Sequence, residues 1–236
     1  MDVLVAPAKL TVSLRMTGVR PDGYHLIDAE MVTLDLHDTL EISEGDGLDI
    51  VGPAGTERIG PDDDNLVRRA LRLVGRTALV RLHKRIPAGA GLGGGSADAA
   101  AVLRWAGYTD VEGAATIGAD VAFCLVGGRA RVRGIGEIVE PLPHEPRTFT
   151  LLTPPFGCST PAVYAAWDRL GGPTGGHRND LEPAALAVAP ELAAWRDRLA
   201  DATGVRPQLA GSGSTWFVEG AFPGPGRVVA ATVPGD

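Results

Sequence analysis

A segment between residues 86 and 100 has the residue types and spacing of a phosphate-binding loop. It reads IPAGAGLGGGSADAA and contains five glycines within seven residues. Glycine permits positive φ angles and close backbone approach, so several N–H groups can face one anion. The segment follows a β-like run at 77–83 and leads into helix-forming residues at 97–105, so a helix N-terminus would add partial positive charge. These features predict a phosphate cradle between a strand and a helix.

The same segment has other interpretations. A flexible surface turn is one, although a linker usually carries more Ser, Pro or charge and does not directly join a strand to a helix. Gly89, Gly91 and Gly94 also spell G-x-G-x-x-G, which occurs in dinucleotide-binding and protein-kinase sites, but a lone match is weak. A dinucleotide loop normally follows the first strand of its fold, and a Walker A loop is excluded because no Gly-Lys-Ser/Thr follows the glycines. Phosphate binding is favoured, and the kind of phosphate ligand stays open.

Only two of the 22 cationic residues are lysines, Lys9 and Lys84, and the others are arginines. Since the chain supplies its general positive charge as arginine, a lysine indicates a chemical requirement. A lysine ammonium is a compact, freely rotating charge that suits a phosphate oxygen or a reacting hydroxyl. Chance placement on the surface is the alternative for each lysine taken alone.

Three further positions carry residues that could bind a ligand or simply stabilise the fold. Tyr24 and His25 follow a turn at 18–23 and offer an aromatic face and an imidazole edge, as nucleobase recognition requires, but they could equally form a half-buried pair. Asp120 opens an apolar helical segment, where it either caps the helix or needs a charged partner. Asp64 or Asn65 could likewise cap a helix predicted at 65–74.

The composition of the 236-residue chain limits its function class. A hydrophobic content of 44% is sufficient for a globular core, and a net charge of −7 without a basic run argues against nucleic-acid binding. The two cysteines, Cys124 and Cys158, lack metal-ligand spacing and indicate a reducing compartment without a disulfide framework. No stretch approaches the ~20 apolar residues of a membrane span. We therefore expect a cytoplasmic protein without nucleic-acid partner, membrane contact or metal-ligating residues; a monomer and a homodimer both stay open.

Periodicity and turn residues divide the chain into strands and helices. We expect two β segments within 2–17 broken at Pro7, a strand over 28–43, a hairpin and loop over 45–64, helical residues at 114–125 and a hairpin over 129–141. A proline-rich stretch at 141–146 predicts a domain boundary. Beyond it we expect a strand over 148–153, helices over 159–170 and 184–203, a glycine turn between strands at 208–218, and a last strand over 227–233.

Three ordered motifs resemble those of the GHMP small-molecule kinases. They are Pro7-Ala-Lys9, the glycine-rich segment Pro87–Ala100, and Leu209-Ala-Gly-Ser-Gly-Ser214. The segments at 22–25, 64–66 and 117–121 are similar to a branch of this superfamily whose substrate carries a cytidine diphosphate. The resemblance covers nearly the whole chain. It implies an α+β fold of two domains, a ribosomal-S5-domain-2-like domain over 1–146 and a ferredoxin-like domain over 147–236.

The resemblance also implies an activity and residue roles. The activity is ATP-dependent phosphorylation of a hydroxyl group on the cytidine diphosphate substrate, with Mg²⁺ on the ATP phosphates. Lys9 and Asp120 would be the catalytic pair, with Asp120 accepting or orienting the hydroxyl proton. The implied ATP-binding residues are Asn65, Lys84, Pro87, Gly89, Gly91, Leu92, Gly93, Gly94, Gly95 and Ser96. The implied substrate-binding residues are Thr11, Tyr24, His25, Tyr164, Gly211, Ser212 and Gly213.

The chain departs from the family pattern at several positions. Thr11 replaces the usual asparagine, which alters one substrate hydrogen bond, and Ala97 replaces a serine, which leaves Ser96 as the loop hydroxyl. The region between 100 and 118 is short, and residues 222–227 take the place of an expected helix, so a ferredoxin-like domain would lack one helix. Two alternatives stay open. One is a GHMP kinase of the homoserine or mevalonate type, whose substrates carry no base; the other is a nucleotide-binding relative with weakened catalysis.

Overall fold

The chain forms two β-sheets with helices packed around them, as a computed structural model describes for residues 1–52, 60, 63–174 and 178–235. The first half contains β1 (Asp2–Val19), β2 (His25–Ser43), β3 (Gly47–Val51), α1 (Leu66–Leu73), β4 (Leu79–His83), α2 (Gly94–Trp105), α3 (Val111–Ala115), α4 (Ala119–Val126), β5 (Arg129–Gly134) and β6 (Ile138–Leu142). The second half contains β7 (Thr148–Leu152), α5 (Thr160–Arg169), α6 (Glu182–Val188), α7 (Leu192–Thr203), β8 (Gln208–Leu209), β9 (Trp216–Glu219) and β10 (Arg227–Ala231). Within the loop predicted over 45–64, residues 53–59 and 61–62 lie outside the described residues.

The long antiparallel pair of β1 and β2 organises the N-terminal sheet. The strand order is β3-β4-β2-β5-β6, with β1 also paired to β2. The predicted break at Pro7 is wrong, because β1 continues through it with a register shift between Pro7 and Lys9. A proline is tolerated at such an irregularity, where the ladder does not require a hydrogen bond from its nitrogen. As a result, Lys9 lies within a strand instead of after a break.

The alanine-rich α2 is the buried helix of the N-terminal half. It contacts β1 and β2 and lies against both α1 and α4. Its residues from Ala97 to Leu103 are all buried, and their small side chains allow neighbouring backbones to approach closely. The helix predicted at 97–105 is confirmed, but it begins three residues earlier, at Gly94. This earlier start brings the glycine segment directly into the first helical turn.

The C-terminal sheet has the strand order of a ferredoxin-like domain. The order is β10-β7-β9-β8, with every pair antiparallel, and α5, α6 and α7 lie between β7 and β8 in sequence. Residues 220–226, which connect β9 to β10, contain no helix. The predicted loss of one helix is therefore correct, and Phe222 from this connection packs against the core instead. The two sheets with their helices confirm the predicted α+β class.

An apolar cluster joins the two sheets. Leu10 and Leu34 from the N-terminal sheet and Phe149 and Phe217 from the C-terminal sheet are fully buried in it. The two phenylalanine rings pack edge to face with centroids 5.7 Å apart. The predicted domain division stays a prediction, although residues 143–147 separate the last strand of one sheet from the first strand of the other. The shared cluster determines how the two halves meet.

Both cysteines are free thiols and both are buried, as expected for a chain without a disulfide framework. Burial, with a contribution from the charge of Asp120, raises the pKa of Cys124 to about 12. Cys124 is therefore an unreactive core residue. Among the described residues, no helix has both the length and the apolar character needed to cross a membrane.

Candidate active site

The glycine-rich segment forms a loop that leads directly into α2. Gly93 has a φ of 66° and N-caps α2 without a side-chain hydrogen bond. The first turn of the helix contains no acidic residue. Its leading N–H groups have no partners within the helix, and together with the helix dipole they favour an anion such as a phosphate group. The backbone geometry of the loop fits a phosphate cradle.

Contacts from both halves of the protein fix this loop. Leu92 O accepts a hydrogen bond from Lys9 N in β1 at 3.0 Å. Gly91 has a φ of 76°, and a Cβ atom there would overlap the carbonyl oxygens of Ala210 and Gly213 in the second glycine turn. Glycine is therefore required at Gly91 by its conformation and by its neighbours. The loop is a packed structural element, so its interpretation as a flexible surface turn is wrong.

Lys84 anchors the start of the loop through two buried carboxylates. Its Nζ donates a hydrogen bond to Asp98 Oδ2 at 2.7 Å and another to Asp38 Oδ2. Asp38 Oδ1 in turn accepts hydrogen bonds from the backbone nitrogens of Arg85 and Ile86. The three ionisable side chains are at most 2% exposed. The structure therefore gives Lys84 a positioning role, and its predicted contact with ATP stays a prediction.

Burial changes the protonation of this cluster. Burial alone would lower the pKa of Lys84, but the charges of Asp98 and Asp38 raise it above its usual value. Burial raises the pKa of Asp98 to about 7 against the opposing effect of Lys84, and Asp38 adds to the rise. Within the described part of the chain, Asp98 Oδ1 is buried without a hydrogen-bond partner. Burial therefore favours the protonated form of Asp98, while the two acids favour the charged form of Lys84.

A cavity of about 450 Å³, here called the donor cavity, opens along the glycine loop. It is lined by all ten residues predicted to bind ATP, namely Asn65, Lys84, Pro87, Gly89, Gly91, Leu92, Gly93, Gly94, Gly95 and Ser96. Asn65 also caps α1, because its Oδ1 accepts from Val67 N at 2.9 Å. Asn65 therefore caps α1, as one interpretation predicted, and also lines the donor cavity. A cavity of this size is within the usual range for small-molecule sites.

Lys9 and Asp120 form an ion pair beside the loop. Lys9 Nζ lies 3.2 Å from Asp120 Oδ2 and donates to Thr11 Oγ1 at 3.0 Å. Lys9 is buried, whereas the Asp120 side chain is 33% exposed and accessible to a ligand. Asp120 lies in the first turn of α4, whose N-cap is Gly118, so the N-cap interpretation of Asp120 is wrong. Thr11, which stands where the family usually has asparagine, helps to position the lysine ammonium.

A second cavity of about 700 Å³, here called the acceptor cavity, meets the donor cavity at this ion pair. Gly91, Ser96, Asp120 and Thr160 line both cavities, and Lys9 lines the acceptor cavity. A ligand in one cavity and a ligand in the other would therefore meet next to the Asp120 carboxylate. This arrangement allows a group to be transferred between two bound molecules.

The acceptor cavity contains six of the seven residues predicted to bind the substrate: Thr11, Tyr24, His25, Tyr164, Gly211 and Ser212. The seventh, Gly213, is not among the residues that line either cavity. Its carbonyl instead faces Gly91, so Gly213 supports the glycine loop from behind. The geometry therefore gives no support to a substrate contact by Gly213.

Aromatic side chains surround one end of the acceptor cavity. The rings of His25 and Tyr164 lie 4.9 Å apart between centroids and are tilted by 50°. Tyr24 is 59% exposed and offers its ring to solvent and ligand. Burial, followed by the nearby charge of Asp120, raises the pKa of Tyr164 to about 12, so its hydroxyl stays neutral. Tyr24, His25 and Tyr164 together provide stacking surfaces and an imidazole edge.

Several residues of the site were not singled out by the sequence. Arg69 and Thr160 line the acceptor cavity, Asp38 and Asp98 hold Lys84, and Asp168 lies 2.8 Å from His25. Asp98 is part of the glycine-rich motif, and Asp38 is an acid within an apolar strand. An acid in either setting indicates a buried charged partner. Arg69, Thr160 and Asp168 carry no local signal because their neighbours in the site are distant in sequence.

Comparison with known proteins agrees with this geometry. The family profile of the GHMP kinases N terminal domain matches residues 65–128, which include the glycine loop and Asp120. A 4-diphosphocytidyl-2-C-methyl-D-erythritol kinase from Paracoccus denitrificans (strain Pd 1222) is 41% identical over 232 residues, which cover 90% of this chain and 84% of that protein. The chain belongs to the 4-diphosphocytidyl-2-C-methyl-D-erythritol kinase family. A crystal structure of a 4-(cytidine 5'-diphospho)-2C-methyl-D-erythritol kinase matches with a TM-score of 0.75 and 32% identity, over 99% of this chain and 100% of that one.

Membership of the 4-diphosphocytidyl-2-C-methyl-D-erythritol kinase family makes this chain an ATP-dependent small-molecule kinase. It confirms the resemblance drawn from the three motifs and sets aside the dinucleotide and protein-kinase interpretations of the loop. A homoserine kinase from Cytophaga hutchinsonii also matches, with a TM-score of 0.61 over 99% of this chain and 94% of that chain. Its identity of 18% shows a shared fold alone, so the homoserine-kinase alternative has less support.

Proposed function

We propose that this kinase transfers the γ-phosphoryl group of ATP to the 2-hydroxyl of 4-diphosphocytidyl-2-C-methyl-D-erythritol, a step in the non-mevalonate route to isoprenoid precursors. The observation that carries the proposal is the junction of the donor and acceptor cavities at Asp120, with the Lys9 ammonium 3.2 Å away. The names of the relatives support the choice of substrate. The chemistry follows from what each part of the site offers.

ATP occupies the donor cavity in this proposal, with its triphosphate against the loop between Gly89 and Gly95. The free N–H groups at the start of α2 then face phosphate oxygens. Mg²⁺ would accompany the nucleotide and neutralise charge on its phosphates. Among the described residues, no group of three or more His, Cys, Asp or Glu side chains is arranged to hold a metal ion. In this proposal the phosphate oxygens of ATP would provide most of the Mg²⁺ ligands.

Asp120 and Lys9 carry out the transfer step. The substrate hydroxyl oxygen forms a bond to the γ-phosphorus as the bond from that phosphorus to the ADP oxygen breaks, and the hydroxyl proton passes to Asp120. Lys9 presents positive charge to the phosphoryl group during the transfer, and Thr11 restricts the position of its ammonium. Phosphoryl transfer depends mainly on alignment and charge neutralisation, which this pair supplies.

The cytidine diphosphate part of the substrate lies in the acceptor cavity. Tyr24 and Tyr164 stack on the two faces of the cytosine, and His25 contacts its edge. Arg69 lines the same cavity and donates a hydrogen bond to Thr116 O at 2.9 Å. Its guanidinium adds positive charge to a cavity that must accept a diphosphate.

A coupled assay of ADP release tests the proposal. The purified protein should release ADP with the cytidyl substrate and show little turnover with mevalonate, homoserine or galactose. Turnover with one of these three and none with the cytidyl substrate would refute the substrate assignment. ATP binding by calorimetry without turnover on any of the four would favour a nucleotide-binding protein with weakened catalysis.

A further inference from the structure

We propose that Asp168 is a positioning residue that fixes the tautomer of His25 and thereby lets the acceptor cavity distinguish cytosine from uracil. The inference rests on the proposed function, because it requires that His25 faces the base of the substrate. Asp168 is outside the set of residues that line the acceptor cavity. Its effect on the ligand would therefore act through His25.

Helix α5 holds the His25 ring with three side chains. Asp168 Oδ1 lies 2.8 Å from His25 Nε2. The Tyr164 ring lies 4.9 Å from the His25 ring between centroids, and the Trp167 ring contacts it edge-on at 5.7 Å. Positions 164, 167 and 168 share one helix face because they are three and four residues apart. The His25 side chain is only 12% exposed, so the ring has one well-defined setting against α5.

The contact with Asp168 determines which nitrogen of His25 carries the proton. A carboxylate oxygen can only accept a hydrogen bond, so Nε2 must be the donor. In the neutral imidazole, Nδ1 then has a free lone pair and acts as an acceptor. No hydrogen bond to Nδ1 occurs within the described ranges of the chain. His25 lines the acceptor cavity, so in this proposal its Nδ1 accepts a hydrogen bond from the ligand.

An acceptor at Nδ1 favours cytosine over uracil. Cytosine carries an exocyclic amino group, which donates hydrogen bonds, where uracil carries a carbonyl oxygen, which only accepts. Without Asp168, His25 can also adopt the tautomer with the proton on Nδ1, which would donate to the uracil oxygen. The stacking surfaces of Tyr24 and Tyr164 would be unchanged. Loss of Asp168 should therefore reduce selectivity between bases more than it reduces general affinity.

Calorimetric titration with CDP and with UDP tests this role. The proteins are the wild type, Asp168→Ala, Asp168→Glu and the control Asp197→Ala. Asp197 lies on α7, pairs with the adjacent Arg196 and lines neither cavity. We expect the preference of the wild type for CDP over UDP to fall by ~3- to 10-fold in Asp168→Ala, as for the loss of one oriented hydrogen bond. Asp168→Glu should retain most of the preference because it keeps a carboxylate acceptor.

Steady-state kinetics provide a second measurement. The KM for the cytidyl substrate should rise in Asp168→Ala, whereas the KM for ATP should stay unchanged. An unchanged CDP preference in Asp168→Ala would overturn the inference, and so would an equal loss of CDP and UDP affinity, which indicates a merely structural role. The wild-type titration tests cytidine recognition separately from the role of Asp168. A wild type without any preference for CDP would refute cytidine recognition itself, and the role of Asp168 with it.

Discussion

Replacing Asp98 with asparagine should remove a pH dependence of stability that the wild-type protein carries. The Asp98 side chain is 2% exposed, and its Oδ2 accepts from Lys84 Nζ at 2.7 Å. Burial raises its pKa from the ordinary 3.8 to about 7, despite the opposing effect of Lys84. Asparagine has nearly the same shape and keeps an acceptor for Lys84, but it cannot ionise. The substitution therefore isolates the cost of ionising a buried carboxyl group.

The sign and size of the effect follow from linkage. Between pH 3.8 and about 7 the folded protein retains a proton on Asp98 that the unfolded chain releases, so rising pH favours unfolding. At about 1.4 kcal/mol per pH unit, the interval from 3.8 to about 7 corresponds to about 4 kcal/mol. This contribution is fully present below pH 3.8 and is lost as the pH rises through about 7. The free energy of unfolding of Asp98→Asn, relative to the wild type, should therefore increase by up to about 4 kcal/mol across this window.

Urea denaturation at a series of pH values from 4 to 8 measures this difference. The pKa values of Asp28 and Glu219 are lowered, mainly by hydrogen bonds from Arg131 and Arg147. Their contributions weaken in acid in both proteins and cancel in the comparison. The free energy of unfolding of Asp197→Asn, an equivalent change at an exposed position, should vary with pH in the same way as that of the wild type. Parallel curves for Asp98→Asn and the wild type would refute the argument that burial controls the protonation of Asp98.

Two further substitutions test the catalytic pair and the loop. Asp120→Asn should lower kcat by ~10²- to 10⁴-fold because an amide cannot accept the hydroxyl proton; circular dichroism should show an intact fold, and retained activity in the ADP assay would remove the base role. Gly91→Ala should lower the unfolding midpoint more than Gly75→Ala. Both glycines have positive φ angles. A Cβ atom at Gly91 would overlap the carbonyl oxygens of Ala210 and Gly213, whereas a Cβ atom at Gly75 would have no other atom within 4 Å. Equal losses of stability would contradict the packing argument.

Much of the fold was predictable from local sequence. The strand before the glycine loop and the alanine-rich helix after it were predicted from periodicity, turn residues and glycine placement. The family resemblance also implied that Lys9 and Asp120 form a pair, and the structure places them 3.2 Å apart. Such features are predictable because helix and strand preferences and loop conformations depend mainly on residues close in sequence.

Other features could not be predicted without knowing how the sheets are arranged. Pro7 was expected to end a strand, but pairing with β2 continues past it through a register shift. Gly213 was expected at the substrate, which stays a prediction, and only the folded structure shows that its carbonyl faces Gly91. At Pro7 a local preference was overridden by pairing with a strand that is distant in sequence.

The sequence alone determined the family, the glycine loop and the residue types available for phosphoryl transfer. Tertiary structure decided which charged groups became partners. Lys84 was predicted at the nucleotide, yet its ammonium pairs with Asp38, which is 46 residues away, and with Asp98. His25 meets Asp168 across 143 residues and across the junction of the two sheets. Hydrogen bonds and ion pairs act over a few ångströms, so contacts between segments this far apart exist only after the sheets and helices have packed together.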